Sequence, residues 1–553
     1  MRKDRAQKIL SITIIAFLIL FLAIPVGTLL FKAFQNFDGQ FVGFANFKEY
    51  VGTKGFKITL GNSLRVSITA ALIAMASAFT YAYGVNKSNI RCKGVFHWIG
   101  LLPLFAPTMT HSIALIYLFG TKGLLTNLLG INFNIYGFWG IVLSEALYIF
   151  PVVYLLFSMG LKNSDNRLYE AAEIMGTSSI RQFFTITVPN MKFSIITAFF
   201  SSFTMAFTDF GAPKIIGGRF SVLATEVYKK MLGQQDFEMG AVIGVVLIIP
   251  AVIAFIVDYY ISKNNKTKAD SKSTAYVIHE NKGRDTFFCI FNILIVSFIV
   301  MIFATILLSA FVESWPYNLN FTTKWFSFSV LGMSGFRIFG NSIIVAMLTA
   351  IIGTIICFIA AYFSQRGKVF KKANKIIYLL GILPNAIPGL TIGISFMLFF
   401  NKGANPLRII YGTFIILVLA NIVHFFSTPF LTISNELKKI DSEYENASEI
   451  MGVTWFHLLR NVIIPLSLPA ILESFSYYFV NSMMTISAVV FLYMPQTRLA
   501  TISMINKVDT GEMAAAAAVA VMIIFTNVIF RVIFDRLVIK LRKSKFKHRE
   551  AKI

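Results

Sequence analysis

Twelve apolar runs, most about twenty residues or longer, decide what this chain can fold into. They lie at about 9–31, 63–85, 95–119, 137–160, 191–211 and 239–261, then 286–311, 341–363, 376–400, 409–433, 467–490 and 513–537. A helix needs about 20 apolar residues to cross a bilayer core. Inside that core each backbone polar group must be satisfied within its own segment, which leaves helices as the spanning form. Only 14% of the residues are charged and 56% are hydrophobic, against roughly 25% charged in soluble domains. The expected fold class is an all-α polytopic membrane protein with twelve transmembrane helices in the lipid bilayer. Arg2, Lys3, Arg5 and Lys8 precede the first run, as in a signal peptide. That run is long and lacks a small-residue cleavage site, so it reads as an uncleaved first membrane helix.

The net charge of +24 would suit a nucleic-acid partner, but its placement argues for no nucleic acid. Basic residues gather in short loops and at both ends: Lys87, Arg91 and Lys93; Lys162, Arg167 and Arg181; Arg366, Lys368, Lys371, Lys372 and Lys375; Lys438, Lys439 and Arg460; and Lys540 to Lys547. This is the positive-inside pattern, and with twelve spans it puts both termini in the cytoplasm. No catalytic constellation is present. No Gly-Lys-Ser or Gly-Lys-Thr phosphate loop occurs, so ATP hydrolysis is expected on a separate subunit and the chain is expected not to be an enzyme. Cys92, Cys289 and Cys357 lie far apart, and no His/Cys/carboxylate spacing suits a metal. Neither a cofactor nor a metal is expected.

One polar stretch occurs twice. Tyr169-Glu170-Ala171-Ala172-Glu173-Ile174-Met175-Gly176 runs on to Ile186-Thr187-Val188-Pro189, and Glu445-Asn446-Ala447-Ser448-Glu449-Ile450-Met451-Gly452 runs on to Val462-Ile463-Ile464-Pro465. The offset is constant, 452 − 176 = 276 and 465 − 189 = 276. Residues 170–175 favour a helix, and Gly176 can take the left-handed conformation that ends one. Thr177 and Ser178 can cap a second short helix. Pro189 is expected to close that helix and re-aim the chain. Small side chains at Ala171 and Ala172 would let another surface approach. A polar motif at the same place in two membrane-embedded halves reads as a docking element for a soluble partner.

Glu170, Ala171, Ala172, Gly176, Ile186 and Pro189 in the first copy resemble the EAA signature of permease subunits of bacterial ABC importers. Ala447, Gly452 and Pro465 match it in the second, with Val462 at the isoleucine place. Asn446 stands where that family has glutamate, and Ser448 where it has alanine. The resemblance implies two coupling loops, 161–190 and 434–466, docking on two ABC ATPase subunits in the cytoplasm. It also implies an extracellular or periplasmic solute-binding protein, and a place in the bacterial cytoplasmic (inner) membrane. The expected layout is a permease domain at 1–262, a polar cytoplasmic linker at 263–285, and a second permease domain at 286–553.

The repeat extends past the signature. Gly61-Asn62-Ser63 returns as Gly340-Asn341-Ser342, Leu102-Pro103 with Pro107 as Leu383-Pro384 with Pro388, and Leu223-Ala224-Thr225 as Leu499-Ala500-Thr501. Six spans per half make the repeats parallel, about an axis along the membrane normal. Asp209, in Thr208-Asp209-Phe210-Gly211-Ala212-Pro213-Lys214, lies at a span end, with Thr485-Ile486-Ser487-Ala488 as its counterpart. Thr208, Asp209, Thr485 and Ser487 are the candidate pathway residues, since ionisable groups inside spans tend to be functional. The other reading of Asp209 is a surface pair with Lys214. The run Asp209 to Gly218 resembles the 2-aminoethylphosphonate branch of such importers. The expected cargo is therefore 2-aminoethylphosphonate, with iron(III), thiamine or a polyamine as alternatives and an ion-driven secondary transporter as the rival class.

Overall fold

A computed structural model describes residues 2–130, 134–264, 274, 276–278, 280–327, 335–367 and 370–550. Among them, ten helices are long and apolar enough to cross a membrane: Gln7–Lys32, Lys54–Lys87, Thr108–Leu129, Phe138–Lys162, Ser179–Thr208, Phe237–Val257, Lys282–Phe311, Gly335–Arg366, Trp455–Met484 and Met513–Leu541. Two bent pairs, Lys371–Ala386 with Gly389–Phe400 and Phe414–His424 with Ser427–Lys439, bring the set to twelve, six in each half. The chain is an all-α polytopic membrane protein. The one small sheet among the described residues pairs Val312–Ser314 with Asn318–Phe321.

Spans three and nine, the runs at 95–119 and 376–400, are not straight. Each is two helices joined by a 3-10 turn, at Leu102–Phe105 and Leu383–Ala386, and in the second half the two helices meet at 110°. Proline is the cause. Ala106 and Ile387, just before Pro107 and Pro388, are pushed into extended backbone, because proline's ring excludes the helical region for the residue before it. Pro107 and Pro388 then cap the next helices, Thr108–Phe119 and Gly389–Phe400.

The first long helix of each half packs on the other half. Gln7–Lys32 lies against 335–400, where Phe21 stacks on Phe400 at 6.1 Å. Lys282–Phe311 lies against Lys54–Lys87 and Thr108–Phe119. Gly84 permits that crossing: a Cβ there would stand 2.8 Å from the Asn292 amide. The recurring Asn-Ser pair has a visible job. Asn62 Nδ2 donates to Ser221 O and Leu223 N donates to Ser63 Oγ. In the other half Asn341 Nδ2 donates to Gln496 O and Ala500 N to Ser342 Oγ. Each pair pins a span to the segment that opens the recurring Leu-Ala-Thr helix.

Candidate functional site

Both polar loops fold alike, and the reason is local. In the first, the helix Asn166–Ile174 is capped by Asp165, whose carboxylate accepts from Arg167 N. The helix stops at Gly176, with φ +69°. Gly176 N donates to Glu173 O and Thr177 N to Ala172 O, the pair of reversed bonds by which a left-handed glycine satisfies a helix end. In the second, the helix Glu443–Ile450 stops at Gly452, φ +67°, with Gly452 N to Glu449 O and Val453 N to Ser448 O. Ser178 and Thr454 then cap the next turn, accepting from Arg181 N and His457 N.

Pro189 does not close that turn. The chain passes through a π turn, Phe183–Thr187, into one continuous helix, Ser179–Thr208. Leu459–Ile463 and Trp455–Met484 repeat this. The π turn shifts the bonding so that Val188 N reaches Phe183 O. Proline sits one residue later, where its missing N–H breaks little. The spans therefore begin inside the loops, not at 191 and 467, and the eleventh ends at Met484 rather than near 490.

Side-chain directions refine the motif. Glu170, Ala171, Asn446 and Ala447 are exposed. Ala172 and its counterpart Ser448 are buried against the protein itself, so of the two alanines only Ala171 faces outward. Glu170 Oε1 accepts from Asn166 Nδ2 at 2.6 Å. Hydrogen bonds from Arg167, aided by Thr274, hold the Asp165 carboxyl well below the usual carboxylate range. Glu445 points inward to Arg366 at 2.6 Å, with both side chains 9% exposed. Sequence reasoning did not assign the apolar tips. Ile174 and Ile450 are 88% and 87% exposed, Met175 and Met451 72% and 70%, and Ile180 matches Phe456. Each pair lies 276 apart, the same signal that marked the motif (450 − 174 = 276). Two loops thus present the same apolar tip, which suits a docking surface.

The second feature is a cavity of about 90 Å³ between the halves, lined from the first half by Pro107, Thr108, Tyr148, Asp209 and Gly211, and from the second by His424, Asn481, Thr485 and Ser487. Asp209 and Thr485, 276 apart, are both extended residues just past a span. Asp209 Oδ2 accepts from Ala212 N and so starts the short helix Gly211–Ile216. Three of the four sequence-derived pathway residues, Asp209, Thr485 and Ser487, line this space. Thr208 does not, since its hydroxyl turns back to Thr204 O. Lys214 does not pair with Asp209; it reaches Asp509 of the other half at 3.0 Å. Sequence reasoning missed Tyr148, His424 and Asn481 as lining residues. Glu145 is fully buried, with the Asp209 carboxyl as its neighbour. Among the described residues no cluster of three or more His, Cys, Asp or Glu is arranged to hold a metal ion.

A family model, binding-protein-dependent transport system inner membrane component, matches residues 81–266 and again 353–543. The ferric transport system permease protein FbpB of Actinobacillus pleuropneumoniae is 24% identical over 98% of this chain and 79% of its own length. The putative 2-aminoethylphosphonate transport system permease protein PhnV of Salmonella paratyphi A is 24% identical over 47% of this chain and 97% of its own length. Among solved structures, a bacterial ABC transporter involved in import of the acidic polysaccharide alginate aligns with 48% of this chain and 97% of its own, at 18% identity and a TM-score of 0.41.

Proposed function

Because this chain belongs to the family of binding-protein-dependent transport system inner membrane components, twice over, we propose that it is the complete membrane channel of an ATP-driven importer, with both permease domains in one polypeptide. The domains run from 1–262 and 286–553, joined by 263–285. The observation that carries the reading is the pair of similarly folded, exposed loops, one per half, each with a helix that ends on a left-handed glycine. Glu170, Ala171, Ala172, Gly176 and Pro189 shape one loop, and Asn446, Ala447, Gly452 and Pro465 the other. Two ATPase subunits take one loop each in the cytoplasm, and a solute-binding protein delivers cargo at the opposite face. Closure of the ATPase pair draws the loops together and turns the cavity at Asp209, Thr485 and Ser487 outward. A cysteine placed at Ser178 or Thr454, both exposed, should react only with reagent admitted to the cytoplasm. Labelling of either from outside intact cells contradicts this orientation.

For the cargo, the ferric reading displaces the phosphonate one. The ferric relative aligns along nearly the whole chain, whereas the phosphonate relative aligns with about half of it. Among the described residues, the cavity lining includes the Asp209 carboxylate and neither lysine nor arginine. That is poor company for a phosphonate, whose dianionic oxygens call for cationic donors, and better company for a cation. Deleting the gene should abolish high-affinity uptake of radioactive iron(III) and leave growth on 2-aminoethylphosphonate as sole phosphorus source unchanged. Normal iron uptake with lost phosphonate growth would return the assignment to phosphonate.

A further inference from the structure

The linker, expected as a polar cytoplasmic segment, has a described part that lies along the first loop helix; residues 265–273, 275 and 279 fall outside the described ones. Asn166 N donates to Thr274 O at 3.1 Å, and Val277 N donates to Asn166 Oδ1 at 3.0 Å. Thr274 donates from both N and Oγ1 to Asp165 Oδ1. Tyr276 meets Tyr169 edge to face at 4.9 Å. Lys87, the last residue of its span, reaches into that aromatic pair. Its Nζ stands 3.3 Å from the centre of the Tyr276 ring and 4.6 Å from that of Tyr169. Lys87 is 2% exposed, and its ammonium has no hydrogen-bond acceptor among the described residues.

The second half fills the same place differently. Arg366 is also the last residue of its span, 366 − 87 = 279, the offset that relates Gly340 to Gly61. Its partner Glu445 corresponds to Tyr169, 445 − 169 = 276. Arg366 donates to both Glu445 oxygens, at 2.6 and 2.7 Å, and also to the carbonyls of Leu437 and Ile440. So a cation at the end of a span grips the loop helix in both halves. In the second it grips a carboxylate. In the first the carboxylate is replaced by tyrosine, and one ring alone leaves a buried cation half-compensated.

We propose that Tyr276 of the linker is a positioning residue that closes the aromatic enclosure around Lys87 and so holds the first loop helix in place, the counterpart of the Arg366–Glu445 pair. The linker is therefore a strap on one coupling loop as well as a tie between halves. The consequence for transport rests on the docking role proposed above; the strap itself does not.

Hydrogen exchange of the purified full-length chain tests the strap without any ATPase. Tyr276→Ala should speed amide exchange in 166–176 roughly tenfold, the equivalent of about 1.4 kcal/mol. Residues 442–452, gripped by Arg366, should be unchanged and report that the variant is folded. Tyr276→Phe, which keeps the ring face, should exchange like the natural chain. In a Lys87→Met background, Tyr276→Ala should lose most of its effect, since no cation remains to enclose. Unchanged exchange in Tyr276→Ala overturns the proposal, and so does a Phe variant as loose as Ala or a full effect without Lys87. In reconstituted complexes Tyr276→Ala should lower the ratio of binding-protein-stimulated to basal ATP hydrolysis. If the natural chain recruits no ATPase at all, the docking reading fails while the exchange result stands.

Discussion

Valine in place of Gly176 or of Gly452 should abolish transport, and the two substitutions should cost the same. Both glycines hold φ near +70°, and nothing lies within 4 Å of a Cβ built at either. The penalty is therefore backbone strain alone. A left-handed backbone costs an ordinary L residue about 1–2 kcal/mol, and a β-branched residue is an outlier there. Relieving the strain would break the two reversed hydrogen bonds that end each loop helix, at about 1 kcal/mol each. Either outcome re-aims the exposed Ile174–Met175 or Ile450–Met451 tip. Stimulated ATP hydrolysis in reconstituted complexes should fall at least tenfold for each variant, since tenfold needs only about 1.4 kcal/mol. Gly176→Asn and Gly452→Asn should keep most activity, because asparagine tolerates this conformation. Full activity in either valine variant would mean that the turn does not set the docking geometry.

What could be read from the sequence followed from what is local. The apolar runs, the glycine turns and the 276-residue offset depend on neighbouring residues, so twelve spans and two matched loops were visible without coordinates. Asp209 was found because an ionisable group at a span end stands out, and Thr485 and Ser487 because they lie in the matching stretch of the other half. Thr208, one position earlier, was misplaced by about 100° around its helix. Tyr148 comes from the middle of its helix and His424 from the last residue of Phe414–His424, and the direction of each depends on tertiary packing. The exchange of first helices between halves was likewise hidden, since a helix buried on either half has the same composition. Pro189 misled because a π turn, which has no simple sequence mark, lets a proline sit inside a continuous helix. Tyr276 lies in the linker between the two repeats, so offset arithmetic paired nothing with it.

The second loop's grip should fail more completely than any surface change nearby. Arg366 and Glu445 are each 9% exposed, and their bond is two-pronged from one guanidinium nitrogen. Salt screens such a pair little. Removing one partner of a buried pair costs about 3–5 kcal/mol, because the other charge stays behind unmatched. Lys439–Glu436, three residues apart on the preceding helix, is the internal comparison: its lysine is 74% exposed, so the pair should be worth less than about 1 kcal/mol. Trypsin reads the difference directly, since the exposed Lys438 and Lys439 lie at the end of that helix, beside the carbonyls that Arg366 also holds. Cleavage there follows the open population when closing is fast. Glu445→Ala should raise the cleavage rate about 100-fold, the equivalent of roughly 2.7 kcal/mol, while Glu436→Ala changes it less than about fivefold. The double change Arg366→Met with Glu445→Leu should recover most of the protection, because no orphaned charge remains. Equal cleavage in Glu445→Ala and Glu436→Ala would show that the loop is held by its backbone turn and by Trp455, whose indole donates to Tyr362 Oη at 2.7 Å, and that the ion pair adds nothing to them.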